Sequence, residues 1–140
     1  MVGERVVPVD LEVRWDFGAP LATLWMDDRF QARLRLEPEP DDRDQRSVEL
    51  IWEGAIAGRM EPPNDEAIEG HRLYAAGLMN VFWIGEVHES ELIADMERRN
   101  RVHERHRPDD FLGLRHWVLP LKECVVEVVA STMSVARADR

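Results

Sequence analysis

Period-two alternation constrains this chain more than any other feature. Val48, Leu50, Trp52, Ile56 and Met60 share one parity with Gly54 and Gly58, and Glu49, Glu53, Arg59 and Glu61 take the other. Phe30, Ala32, Leu34 and Leu36 alternate with Gln31, Arg33, Arg35 and Glu37, and Val7, Val9, Leu11, Val13, Trp15 and Phe17 alternate with Asp10, Glu12, Arg14 and Asp16. A strand sends successive side chains to opposite faces, so each segment asks for a sheet with one dry face and one wet face. The two glycines on the inward parity mark a bend, a bulge or a close backbone approach, and such kinks curl a sheet towards a barrel or half-barrel.

The remaining segments fit the same frame. Gly18 and Pro20 form a turn, residues 21–26 a second strand, and Asp27-Asp28 a tight connection to the strand at 30–36. The polar, proline-bearing segment 37–46 is a surface loop, and Pro62-Pro63-Asn64-Asp65-Glu66 is a rigid turn rich in acceptors. Residues 73–84 (LYAAGLMNVFWI) are almost wholly apolar between Gly70 and Gly85, which predicts a strand buried on both faces, with a short helix at its start as the alternative. Residues 115–121 and 125–135 pair around Lys122-Glu123-Cys124.

One long helix is predicted from Ser90, a good N-cap with Glu91 at the positive end of the dipole, to about Arg107 before Pro108. Its stripe of Leu92, Ile93 and Met96 continues into Asn100 and His103, with His106 at the edge, so the inward face starts apolar and ends polar. Strands, one helix, then two strands give an α+β fold over a single domain, residues 1–140. The expected form is a curled, mainly antiparallel sheet, half-barrel or barrel-like, packed on that principal helix.

Composition excludes several classes. The chain has 140 residues, 44% of them hydrophobic, and five Trp and four Phe supply a core without staples. A net charge of −10, with Lys122 the sole lysine, leaves no basic footprint for nucleic acid. One cysteine forms no internal disulfide, no apolar run reaches the roughly 18 residues of a membrane span, and MVGERVVPVD is unlike a signal peptide. A cytoplasmic protein without membrane contact is expected.

Three constellations could carry chemistry. His103 and His106 stand three apart on the helix, with His116 beyond them and His71 after an Asp-Glu pair. With Asp65 or Glu66, the set His71, His103 and His116 could hold a divalent transition metal. The reading expected here is that His103 and Asn100 hydrogen-bond to seal the helix end against the sheet, which calls for no cofactor, and the metal site is its alternative. Cys124 could act as a nucleophile with His103 or His116 as base, against a packing role in a Val-rich run. Glu123 and Glu127 share a face with Val125 and Val129; if that face is buried, a carboxyl there has a raised pKa and needs a partner. Trp15, Trp52, Trp83 and Trp117 fit core packing, or the walls of a pocket.

The stretch from residue 60 to 130 resembles a family of bacterial proteins without an assigned activity. The matching residues are Pro63, Asn64, Asp65, Glu66, Gly70, His71, Leu73, Gly77 and Leu78, then Glu97, Asn100, His103, His106, Phe111, His116 and Glu127. The family's closing pattern His-Asp-Ser-x-Phe-Glu-Cys falls here on Lys122-Glu123-Cys124 and Val126-Glu127-Val128, so its His and Ser are replaced. The resemblance implies that Asn64, Asp65, Glu66, His71, Asn100, His103, His106 and His116 form one spatial cluster.

The function expected from these observations is a non-catalytic module that binds a small molecule or a protein. The alternative is a metal-assisted or His-based hydrolase, and an accessory structural protein is the third class. A homo-oligomer through a sheet edge or an apolar patch is compatible with all three. A metal enzyme needs three converging ligands, and a small-molecule binder needs a roomy apolar pocket with few polar groups.

Overall fold

A computed structural model describes residues 3–18 and 21–139; Pro20 of the expected Gly18–Pro20 turn lies outside them. Among the described residues the strands are β1 (Arg5–Pro8), β2 (Thr23–Met26), β3 (Gln31–Leu36), β4 (Ser47–Glu53), β5 (Ala57–Glu61), β6 (Gly85–His88), β7 (Arg115–Pro120), β8 (Val125–Ala130) and β9 (Thr132–Ala138). One α-helix, α1 (Glu91–Asn100), lies between β6 and β7. The strands form two antiparallel sheets, ordered β1-β6-β7-β8-β5 and β2-β3-β4-β9. The fold is α+β, as the sequence predicts. Both sheets are open, with β1 and β5 as the edges of one and β2 and β9 as the edges of the other.

The predicted kink in the longest alternation is a corner between the sheets. β4 pairs with β9 in one sheet, and its continuation β5 pairs with β8 in the other. Between the pairs Glu53–Thr132 and Ala57–Val129, three residues (54–56) lie opposite two (130–131), which is a one-residue bulge. Gly54 takes φ 67° there, and a Cβ on it would run into the Ser131 side chain. Ser131 N–H donates to the Glu53 carbonyl, and Ile56 N–H to that of Val129, so hydrogen bonding passes through the corner. The strand expected over 125–135 is thus two strands in two sheets.

The main core lies between the sheets. Ala32, Leu34, Leu36, Val48, Leu50 and Trp52 from one inner face meet Trp117, Leu119, Val126, Val128 and Ala130 from the other, and Trp15 joins them. Trp52 and Trp117 pack tilted, with ring centroids 6.4 Å apart. The expected 7–17 alternation holds, without a ladder, only from Val9 to Trp15; Val7 and Phe17 are exposed, and Val6, of the other parity, is buried. Only Arg5–Pro8 pairs as a strand, yet Val9, Leu11 and Val13 still pack on the core, and Glu12 at φ 59° interrupts extended geometry.

Residues 73–84 depart most from expectation. They form turns and a short 3-10 helix at Leu78–Asn80, with Tyr74, Ala76, Gly77 and Leu78 N–H groups bonding back to carbonyls three to five residues earlier. Gly77 is the physical reason. It adopts φ 133°, closed to other residues in a strand, and a Cβ there would strike the Val6 carbonyl. The turns therefore seat tightly against β1, where Val6 N–H donates to the Ala76 carbonyl at 2.9 Å. Leu73, Leu78 and Val81 form a second core with Val6, Val87, Val118 and Val125 on the back of the larger sheet. That sheet is consequently covered on both faces.

Helix α1 starts as predicted, with Ser90 Oγ accepting from Ile93 N–H at 3.1 Å, but ends at Asn100 rather than near Arg107. Beyond Met96 no apolar residue rewards further helix, and side chains take the backbone's partners: Arg105 N–H donates to His103 Nδ1. No residue of α1 is fully buried, so the core is sheet on sheet and the helix flanks it.

Two glycine substitutions test the close approach. Gly77→Ala is expected to lose at least about 1–2 kcal/mol in urea unfolding, since it forces an unfavourable φ and displaces Val6. Gly113→Ala, which meets nothing within 4 Å, is expected to leave the midpoint unchanged.

Candidate functional site

Glu127 sits mid-strand in β8, in a run whose residues are all buried, and is itself 4% exposed. It lies on the back of the larger sheet, opposite Val118 of β7 and Arg59 of β5. A bare carboxylate there would be costly, and the surroundings supply partners from four directions. His116 of β7 presents Nε2 to Oε1 at 2.8 Å. Arg72, from the segment laid over the sheet, donates from both terminal nitrogens, at 2.8 Å to Oε2 and 2.5 Å to Oε1. His71 Nε2 lies 3.4 Å from Oε2, and Arg59 Nε, at 3.6 Å, adds charge. Three hydrogen bonds thus reach the carboxylate, with the His71 and Arg59 contacts beside them.

The ring tautomers follow from the other nitrogens. Leu73 N–H donates to His71 Nδ1 at 3.0 Å, so the proton of the neutral ring is on Nε2, facing Glu127. The Ser90 hydroxyl, which already accepts from Ile93 N–H, donates to His116 Nδ1 at 2.8 Å, and His116 Nε2–H donates to the carboxylate. A hydroxyl–imidazole–carboxylate chain thus runs from the cap of α1 to the centre of the sheet. Its imidazole is 0% exposed.

Burial alone would push the Glu127 carboxyl up, as expected for a carboxylate on a buried face. The hydrogen bonds from His116, His71 and Arg72 outweigh it and hold the group well below the usual carboxylate range. The expected raised pKa is therefore reversed, and the partner requirement is met. Glu123 has no part in this, being exposed in the β7–β8 turn.

The expected cluster divides into three. His71 and His116 come together on Glu127. Asn100, the last residue of α1, and His103 and His106 just past it sit at the other end of the helix, about 15 Å along its ten residues from Ser90. There Asn100 Nδ2 and His106 Nδ1 are 2.9 Å apart, His106 Nε2 is 3.4 Å from Glu97, and His103 holds a turn, all at or near the surface. Asn64, Asp65 and Glu66 start a 3-10 helix, Asp65–Gly70, in which Asn64 Oδ1 accepts from Ala67 N–H at 3.1 Å. His103 therefore does not converge with His71 and His116. Among the described residues no group of three or more His, Cys, Asp or Glu side chains is placed to hold a metal ion. Cys124 packs against the main core, and burial, then the Glu123 charge, push its thiol up, away from nucleophilic use. His116 is already bonded on both nitrogens.

The surface next to this network is an apolar cleft of about 510 Å³. Its walls are Ile68, Tyr74, Met79, Phe82 and Trp83 from the covering segment, with Phe17; Leu78, Val81, Pro120 and Leu121 also line it, and Asp65 is the one charged residue. Phe82 is 73% exposed and Met79 51%, so much of this wall is presented to solvent. The sequence carried one sign of it: the apolar run 73–84 holds more greasy side chains than one sheet face can cover. Leu73, Leu78, Val81 and Ile84 go inward, and Met79, Phe82, Tyr74 and Trp83 are left to form the cleft. Arg72 and Ser90 as partners of the buried site had no pattern to reveal them.

No protein-family model, no curated protein and no solved structure matches the chain. No helix among the described residues is long and apolar enough to cross a membrane.

Removing the carboxylate tests the network. Glu127→Ala is expected to cost about 3–5 kcal/mol at pH 7, because Arg72, His71 and His116 lose their common acceptor. A lowered folded pKa contributes stability above the unfolded value and loses it as pH falls through the folded one. The difference between wild type and variant in urea melts should therefore be constant above about pH 5 and shrink steadily below about pH 4.5.

Proposed function

We propose that the protein is a non-catalytic small-molecule-binding module, acting in a bacterial cytoplasm through the cleft between the covering segment and the end of β7. One observation carries this: a concave apolar surface of about 510 Å³ with a single charged side chain. Ligand pockets fall in the range of roughly 300–1,000 Å³ and combine apolar walls with few polar groups. In this reading the sheets act as a half-barrel-like shell bent at Gly54, and the Glu127 network is the fastening that holds one wall of the cleft in place. Arg72 and His71 lie between Ile68 and Tyr74, both of which line the cleft, so the bonds that seat them also fix this part of the wall. No cofactor is required.

The test uses the neutral fluorophore N-phenyl-1-naphthylamine. Saturable binding is expected, and Phe82→Asp should weaken it about tenfold, in line with roughly 1.5 kcal/mol of lost apolar contact. Non-saturating fluorescence that Phe82→Asp leaves unchanged would remove this reading.

A second reading, a His-based hydrolase, is favoured by the Ser90–His116–Glu127 chain with its two 2.8 Å links. It asks the buried imidazole to accept the Ser90 proton while a substrate reaches the hydroxyl. Labelling of Ser90 by a fluorophosphonate would support it; an unlabelled protein, read by intact mass, is the outcome expected here.

A further inference from the structure

We infer that the ligand of this cleft is an alkylated ammonium cation, an inference that rests on the small-molecule-binding reading above. Four aromatic rings, Phe17, Tyr74, Phe82 and Trp83, line the cleft together with the Asp65 carboxylate, and neither Lys nor Arg does. The Asp65 side chain is exposed to solvent and free of hydrogen-bond and ion-pair partners among the described residues, so it is open to a cation; its backbone N–H is spent on the Lys122 carbonyl at 2.9 Å. Aromatic faces carry negative potential and attract cations, and the net charge of −10 draws cations to the surface. Trp83 already behaves this way: the Arg14 guanidinium carbon lies 4.4 Å from its ring centroid.

The degree of alkylation follows from a donor count. A primary ammonium has three N–H donors to satisfy on leaving water. The side chains lining the cleft offer it only Asp65 and the Tyr74 hydroxyl as oxygen acceptors, the rest being hydrocarbon, indole and thioether. A quaternary ammonium has no donor to strand, and its methyl groups meet the rings as apolar surface. An anion finds one carboxylate and no cation. The cleft therefore favours a choline-like head group over both.

The experiment is calorimetric titration of the whole protein with choline and with 3,3-dimethylbutan-1-ol, its neutral isostere, alongside N-phenyl-1-naphthylamine. Choline is expected to bind about tenfold or more tightly than the alcohol, and Asp65→Asn to weaken choline about five- to tenfold while leaving the alcohol unchanged. Equal binding of choline and the alcohol would overturn the cation assignment, as would binding of the fluorophore without choline, and either result leaves the cleft a binding site. Failure of all three ligands would overturn both readings. A trimethyl-lysine peptide binding tenfold more tightly than choline would overturn the small-molecule source.

Discussion

A single carboxylate on an otherwise apolar sheet face governs the second half of this molecule. Glu127 lies among valines in β8, and a sheet buried on both faces has no water to offer it. Covering that face with Leu73, Leu78 and Val81 yields apolar burial, but only if the cover also brings cations and donors. Arg72 and His71 arrive on the segment that does the covering, His116 comes from the neighbouring strand, and Ser90 fixes the ring of His116 from the cap of α1. Desolvation and pairing are thus coupled: the apolar cover and the ion pairs form together. That is why 3-10 turns, a helix cap and a strand converge on one residue.

The cleft is a by-product of the same cover. Twelve consecutive apolar-rich residues, 73–84, lie across a face that has room for about half of them. An extended strand would have alternated them and buried both sides; the turns forced by Gly77 sort them at irregular spacing instead. One group completes the second core, and the other stands out as rings and a thioether around a concavity. Anchoring at Glu127 turns this surplus into a defined surface, because the wall is tied down between Ile68 and Tyr74.

The parts legible in the sequence are those in which one local rule acts alone. Alternation placed β3 and β4 correctly, since each has one inner face and register follows parity, whereas β7 and β8, buried on both faces, were legible as a pair from two β-rich runs flanking a short turn. Ser90 was legible as a cap because its hydroxyl has one nearby backbone donor to serve. Residues 73–84 were not, because a uniformly apolar run has no period, and the φ of Gly77 depends on contact with distant Val6. The helix was drawn too long because Pro108 marks only the last point at which it could stop; loss of the apolar stripe after Met96 ended it earlier. Of the site, His71 and His116 were named only within a larger cluster, and the separation of His103 and His106 from them depends on which end of α1 meets the sheet. Glu127 was visible as a conditional, with its neutralising arginine 55 residues away in sequence.

The corner at Gly54 and Ser131 also decides where chemistry can happen. Glu127, Met133 and Val135 have the same parity, and an unbroken strand would turn all three to one side. Met133 and Val135 pack towards the main core, yet Glu127 faces away from it, because the chain changes sheet at Ser131. The corner acts as a parity switch. It sends the acid out of the tryptophan-rich interior, where nothing could neutralise it, and into the layer that holds two histidines and an arginine. A feature of the backbone's path thereby chooses which of two interiors receives the charge.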